Sequence, residues 1–544
     1  MFIEPVFGEK FFGREEVLCI LQKRVEALKG GYRQNLALAG PMLAGKSSIL
    51  KHFLNSITDP DIIPLYIDMS GEDFHMFCRK FIATLLYRYL KSQNVESDGD
   101  IEKLKKACGK TIPKTINCVE NVYESLRQKK ENAAYEKLLT LTSALKTETG
   151  KSCIVILDEF HNLSKFRLKK PFQIFGKFIM VQKSTMYIVS SSQKTLLKEI
   201  LSKKLSLLFG NFELIEIRGF DNQTARSFIS ERFKKRGSFE DVKDYLIQIS
   251  QGSPFYLQVL SDYFSELVDK GYAQGAGKEC LLEAISHLLY ESGGLLNQYF
   301  TNNINFFLER SVRKRFIPIL VSLAHDNNTI KAIQKDLGRS DKDLGIKLHK
   351  LAEMDIVFNS GVFYQISDKL FEYWLKYVYS LKARSVIDDG DMMYLEFKSL
   401  IERNYKNHCE FSLKSVPDVV CDLFKTFKND KIEIGMNFRK MPLFDEVGHT
   451  CLSENIHQVM GSTRNKIWLC HIKENDITDE DDIHKLVTDL GNPDASKIAR
   501  KVFIPLKGME QNAFLLAKEQ NVWVWDIERL NVILRLFGKH ELVL

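Results

Sequence analysis

Hydrophobic and polar positions along this chain follow two alternating rhythms. Short, nearly unbroken apolar runs (NLALAG, PLYIDM, CIVILDEF, TMYIVSSS) are separated by stretches with apolar residues every three or four positions. Runs apolar on both faces predict buried parallel strands, and the 3.6-residue period between them predicts covering helices. From Gln34 to Asp68 the order is strand, glycine loop, helix (GKSSILKHFL), strand. Residues 72–150 read mainly as helix, FELIEIRGF as a further strand, and DNQTARSFISERF opens like an N-capped helix. The period stays helical over 240–310. Residues 311–380 then read as three helices (RKRFIPILVSLA, TIKAIQKDLG and Asp341 to Asp355) followed by a strand–turn–strand with Ser360-Gly361 at its tip. After residue 390 come two helices and the strand KIEIGMNF. Beyond the turn Phe444-Asp445-Glu446-Val447, three further strands (KIWLCHIK, KVFIPL, VWVWD) are separated by helices, and a last helix closes the chain.

A chain of 544 residues predicts three or four domains, and 44% hydrophobic with 27% charged residues is enough for ordinary cores. The net charge of +7 permits nucleic-acid binding without requiring it. Ten scattered cysteines without a repeated CxxC pair read as free thiols in a reducing compartment. No apolar run reaches the length of a membrane span, and MFIEPVFGEKFFG lacks the pattern of a secretory signal, so a cytoplasmic protein with no membrane partner is expected.

The chemistry concentrates in two motifs. Gly40-Pro41-Met42-Leu43-Ala44-Gly45-Lys46-Ser47, with Ser48 behind it, fits GxxxxGK[ST] between a strand and a helix. Backbone amides of such a loop curl around phosphates, Lys46 reaches the β- and γ-oxygens, and Ser47 ligates Mg²⁺. Cys153-Ile-Val-Ile-Leu-Asp158-Glu159 is an apolar strand ending in two acids. Asp158 is expected to hold Mg²⁺ and Glu159 to polarise the attacking water. The strand Met186 to Gln193 ends in Ser190-Ser191-Ser192, hydroxyls where a γ-phosphate sensor would lie; spacing leaves open which of the three senses it, and Ser191 is carried as the candidate. ATP and Mg²⁺ are the expected cofactors.

Together these residues resemble the archaeal/prokaryotic ATPase family, a branch of the AAA+/STAND P-loop ATPases related to replication initiators. Phe12-Gly13-Arg14-Glu15-Glu16, Asp158-Glu159-Phe160 and Gly252-Ser253-Pro254-Phe255-Tyr256-Leu257 add to the resemblance, which covers roughly residues 5 to 380. It implies an α/β P-loop core over 1–220 with a parallel sheet, a helical lid over 221–310 and a winged helix over 311–388. It also places Phe12, Arg14 and Pro254 around the adenine. One departure stands out: relatives carry an arginine where Leu208-Phe209-Gly210-Asn211-Phe212 has asparagine. Arginine fingers are worth orders of magnitude in rate, so a slow, switch-like hydrolase is expected, the alternative being that Arg218 or a partner's arginine takes the finger's place. The third helix of the winged-helix region is mixed in charge: Arg339, Lys342, Lys347, His349 and Lys350 stand against Asp341, Asp343 and Glu353.

Residues 389–544 resemble a mixed α/β restriction-endonuclease-like fold. Its active pattern sets an acid near the start of one strand and E-x-K on the next, two acids holding the metal. Here Asp445 and Lys473 are present, Glu402 is a candidate upstream acid, and His471 takes the place of the middle acid. Neutral imidazole suits hard Mg²⁺ poorly, so a degenerate domain kept to bind DNA is expected. An active endonuclease and a partner-binding domain of other ancestry are the alternatives. The whole then reads as an ATPase whose nucleotide state controls double-stranded DNA binding. The competing reading is a STAND-type signalling or defence switch with a protein partner or self-association.

Overall fold

The computed structural model describes residues 4–205, 210, 212–234, 236–272, 276–307, 310–338, 342–384, 390–434, 437–488 and 497–543. The chain divides into two compact units. The first comprises Met1–Phe228, Gly252–Tyr256 and Glu353–Asp355; the second comprises Ile229–Gln251, Leu257–Ala352 and Ile356–Leu544.

In chain order the first unit contains α1 (Glu15–Lys29), β1 (Asn35–Ala39), α2 (Lys46–Ser56), β2 (Ile62–Asp68), α3 (Phe74–Ser92), α4 (Ile101–Cys108), α5 (Pro113–Arg127) and α6 (Glu131–Thr149). These are followed by β3 (Ser152–Asp158), α7 (Pro171–Val181), β4 (Thr185–Ser191), α8 (Lys194–Glu199) and β5 (Phe212–Glu216). The strands form one sheet in the order β2-β3-β4-β1-β5, and every pairing is parallel. Side chains alternate across a strand, and both faces of this sheet are covered. Leu36, Leu38, Ile154 and Ile156 pack with Leu21, Val25 and Phe53 of α1 and α2. Ala37, Ala39, Val155 and Leu157 pack on the opposite layer with Phe77, Phe81 and Leu138. That two-sided burial is why these strands read as continuous apolar runs. The expected cap is present too: the Asp221 carboxylate accepts the amide of Thr224 at 2.8 Å, where α9 (Asn222–Phe233) begins.

The second unit continues with α10 (Glu240–Ser250), α11 (Pro254–Asp269, its first turn lying in the first unit), α12 (Gly277–Ile285) and α13 (Leu295–Phe307). Three helices follow, α14 (Arg310–Ala324), α15 (Ile330–Asp336) and α16 (Leu344–Glu353), then the antiparallel hairpin β6 (Val357–Ser360) and β7 (Phe363–Ile366). Arg339 and Asp341 lie outside the described residues. Beyond α17 (Lys369–Trp374), α18 (Ser380–Arg384), α19 (Gly390–Ser412) and α20 (Val416–Phe424), KIEIGMNF is a hairpin rather than one strand: β8 (Asp430–Ile434) pairs antiparallel with β9 (Asn437–Met441). A second hairpin that the pattern did not reveal, β10 (Glu446–Ser453) with β11 (Ile456–Ser462), precedes β12 (Ile467–Lys473), α21 (Glu480–Thr488), β13 (Ile498–Pro505), α22 (Gln511–Glu519), β14 (Trp523–Val524) and α23 (Ile527–Leu536). The sheet β10-β11-β12-β13-β14 is antiparallel through β12 and parallel beyond it.

The tip of the β6–β7 hairpin is engaged by β8. Val362 N donates to Lys431 O at 3.1 Å, and Ser360 Oγ donates to Glu433 O and accepts from Glu433 N. Gly361 sits at φ +64°, and a Cβ there would stand 2.1 Å from Lys431 O. Only glycine lets these two backbones meet.

Candidate nucleotide site

Parallel pairing brings the carboxy ends of β1, β3 and β4 side by side, and the glycine loop springs from β1. A Cβ on Gly40 would lie 2.1 Å from Ile217 O, so the loop leaves its strand at a point closed to any side chain. Pro41 and Met42 are exposed, Leu43 turns the chain at φ +63°, and Ala44 is buried. Lys46 is buried, and its Nζ donates to the carbonyls of Gly40 and Pro41 at 2.9 Å each. Burial draws its pKa down, against the charges of Glu159 and Asp158.

Both oxygens of Asp158 accept hydroxyls. Ser47 Oγ and Tyr66 OH each donate to Oδ2 at 2.6 Å, and Ser190 Oγ donates to Oδ1. Glu159 stands in the left-handed region at φ +52°, a costly place for a glutamate. Its Oε2 accepts from Ser192 N at 2.9 Å and Ser192 Oγ at 2.8 Å, with His161 Nδ1 at 3.3 Å. Burial raises the pKa of Glu159 and the charge of Asp158 adds to this, while Lys46 and the bonds from Ser192 oppose it. Burial, helped by the charges of Lys165 and Lys46, pushes His161 down to about 4, so it is neutral at pH 7. Ser191 is buried with its Oγ against His161 Nδ1 at 2.9 Å and the carbonyl of Gln193 at 3.1 Å. The serines on either side of Ser191, rather than Ser191 itself, meet the two acids.

Tyr66, Ser190, Ser192 and His161 were not singled out from sequence. Register was the missing signal. Asp68 pairs with Asp158, and Leu157 with Val189, which sets Ser190 beside Asp158.

Arg14 lies against the glycine loop. Its guanidinium donates to the carbonyls of Ala44 (3.1 Å) and Arg218 (2.5 Å) and lies 4.8 Å over the ring of Phe220, bracing the glycine loop against the end of β5. Phe12 packs edge-on to Phe220 and Phe228. Pro254 Cγ stands 4.0 Å from the position of a Cβ on Gly45, so the proline does lie at the loop. Ser48 Oγ accepts the amide of Val6, tying the N-terminal segment to α2. Asn211 lies outside the described residues, and Arg218 is 3.7 Å from Glu216.

Mg²⁺ suits the donor set: Ser47 Oγ and Asp158 Oδ2 are oxygens 2.6 Å apart, the hard ligands this ion selects. Among the described residues no group of three or more His, Cys, Asp or Glu side chains could hold a metal alone, so the remaining ligands would come from phosphate and water.

The nuclease pattern is not assembled. Glu446 pairs with Ser462, and Ser462 with Ile467, so Asp445 lies at one end of the sheet. Lys473 pairs with Ile456 at the other end, roughly 20 Å along the strands. Glu402 is bound to Lys278 at 2.5 Å on α12. His471 faces Gln458, Nε2 to Oε1 at 3.1 Å, and the buried Lys473 is paired with Asp482 at 2.5 Å. Asp445 and Lys473, the acid and the lysine of the pattern, therefore stand at opposite ends of the sheet.

A parallel sheet in this order, a glycine loop with a buried lysine, and two acids at the end of the next strand but one define an ATP-binding P-loop ATPase. Residues 11–260, a little under half of the chain, match the family model described as an ATPase domain predominantly from Archaea. An uncharacterised ATP-binding protein of Methanocaldococcus jannaschii is 23% identical over 368 residues, covering 62% of this chain and 89% of that protein. A candidate ORC1-type DNA replication protein 1 of Thermoplasma acidophilum is 21% identical over 248 residues, covering 43% of this chain and 56% of that protein. Among solved structures, the Walker-type ATPase of Pyrococcus abyssi aligns with a TM-score of 0.46 at 20% identity, covering 68% of this chain and 97% of its own. Among the described residues no helix is long and apolar enough to cross a membrane.

Proposed function

We propose that this protein is a slow, switch-like ATPase whose nucleotide state controls DNA binding by its second unit. One observation carries the catalytic half of this reading: Lys46, Ser47, Asp158 and Glu159 converge, and Glu159 rests on Ser192. Lys46 would exchange its loop carbonyls for phosphate oxygens. Ser47 and Asp158 would hold Mg²⁺, which neutralises charge on the transferring phosphoryl group. Glu159, once turned from Ser192, would take a proton from the attacking water, and its raised pKa brings it nearer the working pH. A base that must first leave a two-bond rest position makes a slow hydrolase.

DNA binding is supported by the mildly basic chain and by the likeness to an ORC1-type replication protein. Helix α16, read as the third helix of a winged helix, exposes Lys350 and His349. A second reading, a switch bound to a protein partner, is favoured by the engaged hairpin tip and by Ile346, 71% exposed on the same helix. Salt-dependent duplex binding measured with ATP, with ADP and without nucleotide separates them. Equal affinity in all three states would remove nucleotide control, and no binding at low salt would remove DNA.

A further inference from the structure

The second unit contains a cluster of donors without an acceptor. Arg439 on β9 and Arg500 on β13 both lie over the indole of Trp523, their guanidinium carbons 4.7 and 4.2 Å from the ring centroid. Trp523 opens β14 beside β13 and meets Trp468 edge-on at 5.3 Å. Neither guanidinium has a hydrogen bond or ion pair among the described residues. The indole N–H of Trp523 is buried and also lacks an acceptor. Burial pulls the pKa of Arg500 down, and the like charge of Arg439 adds to this.

Two half-buried cations drawn to one ring repel each other, and an anion between them offsets that cost. The guanidinium fork matches phosphate oxygens and stacks on aromatic faces.

We propose that Arg439, Trp523 and Arg500 form a phosphodiester-binding site that holds the backbone of a nucleic acid. It rests on the DNA-binding reading above and gives that reading a place. Arg500 pairs with Trp468, roughly 16 Å along β12 from Lys473, so this site is at the other end of the sheet from the lysine of the nuclease-like pattern.

The test uses the full chain, a fluorescein-labelled duplex and the single strand of the same sequence, with anisotropy read at rising KCl. Arg439→Gln and Arg500→Gln are each expected to flatten the slope of log K against log[salt], by about 0.9 for duplex or about 0.7 for a single strand. Which value is observed identifies the form bound. Arg439→Lys and Arg500→Lys should keep the slope while weakening binding, since charge remains and the fork is lost. If a glutamine variant melts early, the lysine variants carry the test. If the wild type binds but the double glutamine variant keeps its affinity and slope, the site is refuted and the DNA reading survives. Binding of neither strand by the wild type overturns both. Tighter binding of polyglutamate than of DNA, lost in the double variant, overturns the nucleic-acid assignment in favour of an acidic protein.

Discussion

At the carboxy end of β3, Asp158 and Glu159 meet five hydroxyl or amide donors from three other segments, with Lys46 nearby; at the carboxy end of β12, Lys473 meets the single carboxylate of Asp482 and is satisfied. Both ends are buried, and both carry residue types that a motif search rewards. They differ in what can be exchanged. Neutral donors on a carboxylate give way to a divalent cation, and a lysine on backbone carbonyls gives way to phosphate, because each swap strengthens the electrostatics. A buried Lys–Asp pair has no such gain to offer: breaking it leaves a bare charge in a dry site. Ionisable side chains at a strand end become a site when their resting partners are weaker than the ligand.

Substitutions can break or sharpen that contrast. The largest effect is expected from Lys46→Ala, which should abolish saturable binding of a fluorescent ATP analogue; retained binding would show that the loop does not hold phosphate. Glu159→Gln should keep nucleotide bound while turnover falls roughly 10²- to 10⁴-fold, the range for a lost general base. Single-turnover assays read this, and a wild-type rate would reassign the base.

At the other end, Lys473→Met should destabilise the protein by roughly 3–5 kcal/mol in urea titrations, with Lys473→Met/Asp482→Leu recovering most of it, as for other buried pairs. His471→Glu should create no Mg²⁺-dependent nicking of supercoiled DNA, because its facing residue is Gln458 and Asp445 is at the far end of the sheet. Nicking by that variant would mean that an acid at position 471 can hold a metal without Asp445. Ser192→Ala removes one of the two bonds that park Glu159, and should raise turnover about fivefold if that hydroxyl contributes about 1 kcal/mol to the resting state. Slower turnover would make Ser192 part of the active arrangement instead.

The smallest effects concern pH. His161 in the first unit and His408 in the second are each pushed down to about 4 from an ordinary 6.5, in both cases chiefly by burial. A depressed folded-state pKa contributes stability in full above about 6.5, and that stability is lost as the pH falls toward about 4. Thermal melting across that window should flatten with His161→Gln and, separately, with His408→Gln. Glu159 carries a raised pKa, so hydrolysis should fade on the acid side at a higher pH than a free glutamate would give.

The apolar runs at β1 to β4, the helical period from residue 72 to 150 and the spacing of Gly40, Gly45 and Lys46 were legible in the chain itself. Strand burial, helix period and loop spacing are local, and a few adjacent residues are enough to express them. The hairpin inside KIEIGMNF and the paired strands over 446–462 were not legible, since short runs of mixed polarity look alike as strand or loop. Only the tertiary structure decided which hydroxyls reach Asp158, that Arg14 braces backbone carbonyls, and that the acid nearest Lys473 is Asp482 rather than Asp445. Those facts depend on how segments up to 204 residues apart are brought together, as for Arg14 and the Arg218 carbonyl, and on strand register, as for Tyr66 and Asp158. A one-residue shift in register turns a side chain to the opposite face, and nothing in the local pattern records that choice.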